Sequence, residues 1–203
     1  MRSRSLASEI RVVADCLEAA AVATGEVGHG VTAPSSFRAP VFTFDPGTTV
    51  DLARILRALR SAKHFAAFAP AGGATVYADL RPMVVRAEVA ALVGLAFCKL
   101  LRNALTHAFP CGNSGHIGIH LWPVSTLPGA RAFLLIADDG QGFNNEPPAT
   151  AGSGIPTARH CVERCGGVLA REPGSGTVWR IRLPRGTGSP LGGSQYPDRA
   201  SPE

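Results

Sequence analysis

The chain has 203 residues and a net charge of +5; 45% of its residues are hydrophobic, only 17% are charged, and it holds 23 Gly and 16 Pro. That is enough for one domain with a real core plus appendages, with loops and tail taking a large share. The arginines are scattered and not gathered into a basic block interleaved with aromatics, which argues against a nucleic-acid partner.

The five cysteines, Cys16, Cys98, Cys111, Cys161 and Cys165, form no CxxC pair and no cluster with histidines, so they read as small buried hydrophobes in a reducing compartment. No run reaches the roughly 18 uninterrupted apolar residues of a membrane span. Met1 to Ser5 is not followed by a signal-peptide core. A soluble, cytoplasmic protein is expected.

Residues 6 to 23 have helical composition, with Ile10, Val13, Cys16, Leu17 and Ala20 on one face. From 24 to 48 the sequence is rich in Gly, Pro, Ser and Thr, a linker or irregular loop. Helical spacing returns over 50 to 62 through Leu52, Ile55, Leu56 and Leu59, after Thr48 and Thr49, either of which would serve as N-cap. Residues 74 to 80 alternate as a strand, and Pro82 limits its extension.

Residues 86 to 109 predict one long, almost wholly apolar helix, on which Lys99, Asn103 and His107 fall four apart and share a face. Polar groups on a buried helix must be paired or face a cavity. This stripe therefore marks either a solvated edge or the wall of a ligand pocket.

Two strands are predicted next, a half-buried one over 116 to 123 and a continuous apolar one over 131 to 140 that ends in two carboxylates. After a Pro-rich stretch comes a helix with a Gly-rich entry, Pro156 in its first turn and Gly166-Gly167 at its end. Residues 168 to 172 and 177 to 184 then form a hairpin. From 185 to 203 the composition is that of a disordered tail.

The chemistry gathers at the segment DDGQGF, residues 138 to 143. A carboxylate fixed at the end of a buried strand accepts a hydrogen bond from an exocyclic amine, and neighbouring glycines let backbone approach a flat ring or a phosphate. Gly152-Ser153-Gly154 presents free N–H groups at a helix N-terminus, where anions bind. An Asn on a neighbouring helix can hold a divalent cation that bridges phosphates.

In this order the motifs resemble those of the Bergerat-fold ATPases. LLRNALTHAF is similar to the N box, IADDGQGF to the first glycine box, and GSGIPTARHCVERCGG with GSGTVWRIRLP to the second glycine region. The nearest likeness is to the ATP-binding domain of bacterial sensor histidine kinases, over about residues 50 to 184. The resemblance implies a two-layer α/β sandwich with a mixed sheet, preceded by a remnant, dimerisation-like helical segment within residues 1 to 49. It also implies ATP and Mg²⁺ as cofactors.

Under it Asn103 would coordinate Mg²⁺, Asp138 would bind the adenine amine with Thr177 beside it, and Gly140, Gly142, Gly152 and Gly154 would shape the nucleotide loops. His107 would lie near phosphate or cap the helix end. Lys99 stands where the family has a Glu, and would contact phosphate or snorkel to solvent. The first helix contains no phosphoacceptor His; His29 and His64 lie in other contexts.

The resemblance thus implies transfer of the ATP γ-phosphoryl group to a histidine, with a response regulator or partner kinase as partner and a homodimer possible. The departures leave two alternatives open: a catalytically degenerate domain acting by docking, or an anti-sigma-type serine kinase.

Overall fold

The computed structural model describes residues 13, 48–61, 73–110, 113–124, 130–142 and 154–184. The helix expected over 6–23, of which only the buried, helical Val13 is described, lies otherwise outside them, as do most of the linker, Gly152, His29, His64 and the tail.

The elements run β1 (Thr49–Asp51), α1 (Leu52–Ser61), β2 (Ala74–Leu80), β3 (Val84–Arg86), α2 (Ala87–His107), β4 (Gly115–Pro123), β5 (Ala130–Asp138), α3 (Gly154–Arg164), β6 (Val168–Glu172) and β7 (Thr177–Pro184). Five strands form one mixed sheet in the order β2-β4-β5-β7-β6, in which only β2 and β4 run parallel. This is the α/β sandwich with a mixed sheet that the motif order implied.

Alternation along the strands puts one sheet face into the core. Ile117, Ile119 and Leu121 of β4, Leu134 and Ile136 of β5, and Ile181 and Leu183 of β7 are fully buried or nearly so. They meet α2 and α3, which also pack on each other. The opposite face is half-exposed, with His120 stacked on Trp122 at 5.0 Å and the Arg180 guanidinium 5.3 Å above the Phe133 ring.

Helix α2 is buried along most of its length, including Lys99. With a mean hydropathy of 1.5 it is long and apolar enough to cross a bilayer, contrary to the expectation from uninterrupted apolar runs. Its most apolar window is 83% buried inside the protein, the signature of a core helix.

The sequence does not reveal β1 and β3, a three-residue antiparallel pair. Their ladder starts α2, because the Ala87 N–H donates to the Thr48 carbonyl at 2.9 Å in the absence of a side-chain cap. The cap of α1 is not Thr48 or Thr49, since Thr49 is in a strand. Asp51 Oδ1 accepts instead from Ala53 N–H at 3.0 Å and from Met83 N–H at 2.9 Å, joining the helix start to the chain entering β3.

The edge strand β2 is covered by α1, whose Arg57 and Arg60 donate to the carbonyls of Leu80 and Val76. Helix α3 ends as its glycines require. Gly166 sits at φ +72°, and Gly167 N–H donates to the Val162 carbonyl at 2.9 Å.

Candidate nucleotide site

Strand β5 is central, and its last residue, Asp138, faces the helical layer at 8% exposure. Its Oδ1 accepts from the Gly140 and Thr177 N–H groups, each at 3.2 Å. The Thr177 side chain also bonds the carboxylate and is itself buried. Burial pushes the Asp138 carboxyl above the usual carboxylate value, and the hydrogen bonds from Thr177 and Gly140 offset this only in part. Both N–H donors converge on Oδ1.

The backbone around Asp138 approaches more closely than side chains would permit. A Cβ on Gly176 would collide with the Asp138 carbonyl, and one on Gly140 with the carbonyl of Ala108. Gly142 holds φ +72°, a left-handed conformation that favours glycine. Gly176 stands just before Thr177 and carries no local sequence signal of its own. Its role depends on the β5–β7 register, which pairs Asp138 with Thr177.

This loop is pinned to the end of α2. Gln141 donates through its backbone N–H to the Ala108 carbonyl and through Nε2 to the His107 carbonyl, both at 2.9 Å. The Asp138 loop and the last turn of α2 therefore occupy one end of the molecule. Asn103 is half-buried one turn before His107, whose ring is exposed. Gly154 opens α3, and a Cβ there would meet open space.

Lys99 does not snorkel to solvent. It is 4% exposed. The polar stripe is thus graded along the helix, from buried Lys99 through half-buried Asn103 to exposed His107.

The second carboxylate, Asp139, belongs to the other sheet face, because adjacent residues of an extended chain point to opposite sides. It accepts from the His116 N–H at 2.7 Å and pairs with His116 Nδ1 at 2.9 Å. These bonds hold the Asp139 carboxyl below its usual value. Among the described residues no three His, Cys, Asp or Glu side chains converge on a metal site.

No family model matches the sequence, and no curated protein matches it either. Solved structures do. The histidine kinase domain of the Erythrobacter litoralis EL346 blue-light activated histidine kinase superposes with TM-score 0.61 at 21% identity, covering 87% of this chain and 73% of that one. A second structure of that kinase gives TM-score 0.57 at 26% identity, over 66% of this chain and 42% of its own. The mycobacterial sensor histidine kinase MprB gives 0.50 at 24% identity, over 68% and 97%. The chain therefore has the α/β fold of the ATP-binding domains of bacterial sensor histidine kinases.

Proposed function

We propose that the protein is a cytoplasmic, histidine-kinase-like ATP-binding module of two-component signalling. The observation that carries this reading is Asp138. It is a buried carboxylate at the end of the central strand, oriented by the Gly140 and Thr177 N–H groups and the Thr177 side chain, and of the acceptor type that an exocyclic amine needs. Gly140 and Gly176 let backbone pack directly on backbone beside Asp138, and Gly142 takes a left-handed turn there, which fixes the loop around the carboxylate.

In this reading the phosphates run from Asp138 toward the N-terminus of α3 at Gly154 and toward Asn103. Mg²⁺ favours hard oxygen ligands and is commonly held by one or two protein groups plus the phosphates themselves. The Asn103 carbonyl oxygen fits such a donor set. The metal would neutralise phosphate charge and fix the geometry of an in-line transfer.

A second reading is favoured by Lys99. Where the family pattern has a carboxylate, this chain has a buried lysine, and an ammonium group cannot polarise an attacking group. Nucleotide binding is then retained while transfer to a histidine is lost, and the domain acts by docking to a kinase or response regulator.

Displacement of a fluorescent ATP analogue tests the first reading. ATP should compete and GTP should not, because adenine offers a donor at C6 where guanine offers an acceptor. Equal competition by both would refute the role of Asp138. Acid-labile label from γ-³²P-ATP on a histidine separates an active kinase from the docking module.

A further inference from the structure

The His116–Asp139 pair lies on the face of the sheet opposite Asp138, and nucleotide binding makes no use of it. Both side chains are exposed, at 62% and 52%, yet the imidazole is fixed at two points. The His116 backbone N–H and its Nδ1 each engage one oxygen of the same carboxylate, at 2.7 and 2.9 Å. A ring whose Nδ1–H donates to a carboxylate presents Nε2 as the lone-pair nitrogen, held in one orientation by the anion behind it.

The pair borders a cleft of about 380 Å³ whose other walls are Gly73, Ala74, Thr75, Ser114 and Gly115. Gly115 is obligatory there, since any Cβ would collide with the Phe109 ring and crowd Asp139 Oδ1. Thr75 and Ser114 bring hydroxyl donors to the same space, while the charge of Asp139 is spent on His116.

A nucleophilic nitrogen, hydroxyl donors for equatorial oxygens and room for a tetrahedral group fit a phosphoryl electrophile. We infer that His116 is a phosphoryl-acceptor site, taking a phosphoryl group on Nε2 from an activated donor, with Asp139 positioning the ring. The Nε2 lone pair forms the new N–P bond as the bond from phosphorus to the donor's leaving group breaks, the leaving group departing with that electron pair. The imidazolium so formed keeps its Nδ1 proton on Asp139 until water removes it.

The test uses potassium phosphoramidate, whose leaving group is ammonia, so neither ATP nor a partner kinase is needed. The intact protein is incubated with the reagent and sites are read by mass spectrometry at neutral pH, with ³¹P NMR assigning the ring nitrogen. The inference expects His116 to label on Nε2 about tenfold faster than the exposed His107 and His160.

Asp139→Asn should bring His116 down to the rate of those two. Asp138→Asn, which removes the nucleotide contact, should leave the labelling of His116 unchanged, so this inference and the nucleotide reading fail separately. ¹⁵N chemical shifts of the unmodified protein should show the Nδ1–H tautomer at His116. Equal labelling of all three histidines, reaction at Nδ1, or a rate insensitive to Asp139→Asn would overturn the proposal.

Discussion

Replacing Asp138 by Asn should separate binding from stability. The two N–H groups of Gly140 and Thr177 both point at Oδ1, so an Asn will keep its carbonyl oxygen there and turn its NH₂ outward. A donor then meets the donor of the adenine amine. The lost charge-assisted bond is worth about 1.5–3 kcal/mol, which weakens nucleotide binding roughly 10- to 100-fold.

Stability moves the other way. Burial raises the Asp138 pKa in the folded chain, so the folded state holds the proton more tightly than the unfolded one. Its contribution is complete below the unfolded pKa and is lost as pH rises through the folded value, so at pH 7 the ionised carboxylate is a net cost. The Asn variant should be at least as stable as wild type at pH 7 in urea unfolding, with the advantage shrinking as pH falls through the raised folded value and gone below the unfolded one. Calorimetric titration at pH 7 measures the affinity. A variant that binds as tightly as wild type would refute the amine contact, and one clearly less stable at pH 7 would refute the burial argument.

Gly140→Ala should cost about 1–3 kcal/mol by forcing the loop off the Ala108 carbonyl, lowering Tm by several degrees in a thermal scan. An unchanged Tm would show that the loop has room to relax. Ile119→Ala, in the fully buried sheet face, should cost about 2–5 kcal/mol in urea unfolding. The Cys161 thiol, 1% exposed and pushed up by burial to about 11, should resist iodoacetamide at pH 8 in the native protein and react once urea unfolds it. In His116→Ala the Asp139 pKa should rise only part of the way toward the ordinary carboxylate value in an NMR titration, because the ring bond is lost while the backbone N–H bond, the larger cause, is kept.

Periodicity located what depends on local pattern. The strand over 74 to 80 and the hairpin over 168 to 172 and 177 to 184 appear with those bounds, and the helix expected over 86 to 109 is found as Ala87–His107. Strands of three residues, as in β1 and β3, are too short for a period, so Thr48 and Thr49 read as caps when Thr49 belongs to a ladder and Thr48 stands just before it. Around the site, Asp138, Gly140 and Gly142 were legible because the chemistry of a strand-end carboxylate between glycines is local. Gly176, Gln141 and the His116–Asp139 pair were not, because each acts across a register or a helix end that only the folded chain defines. Lys99 shows the same limit: spacing placed it on the stripe, but its burial depends on how the helices pack.

The most direct test of a nucleotide pocket at Asp138 is calorimetric titration of the wild-type protein with a non-hydrolysable ATP analogue, with and without Mg²⁺. Saturable binding strengthened by Mg²⁺ is the predicted result. No heat of binding at millimolar analogue would contradict the account and leave a kinase-like fold without its ligand.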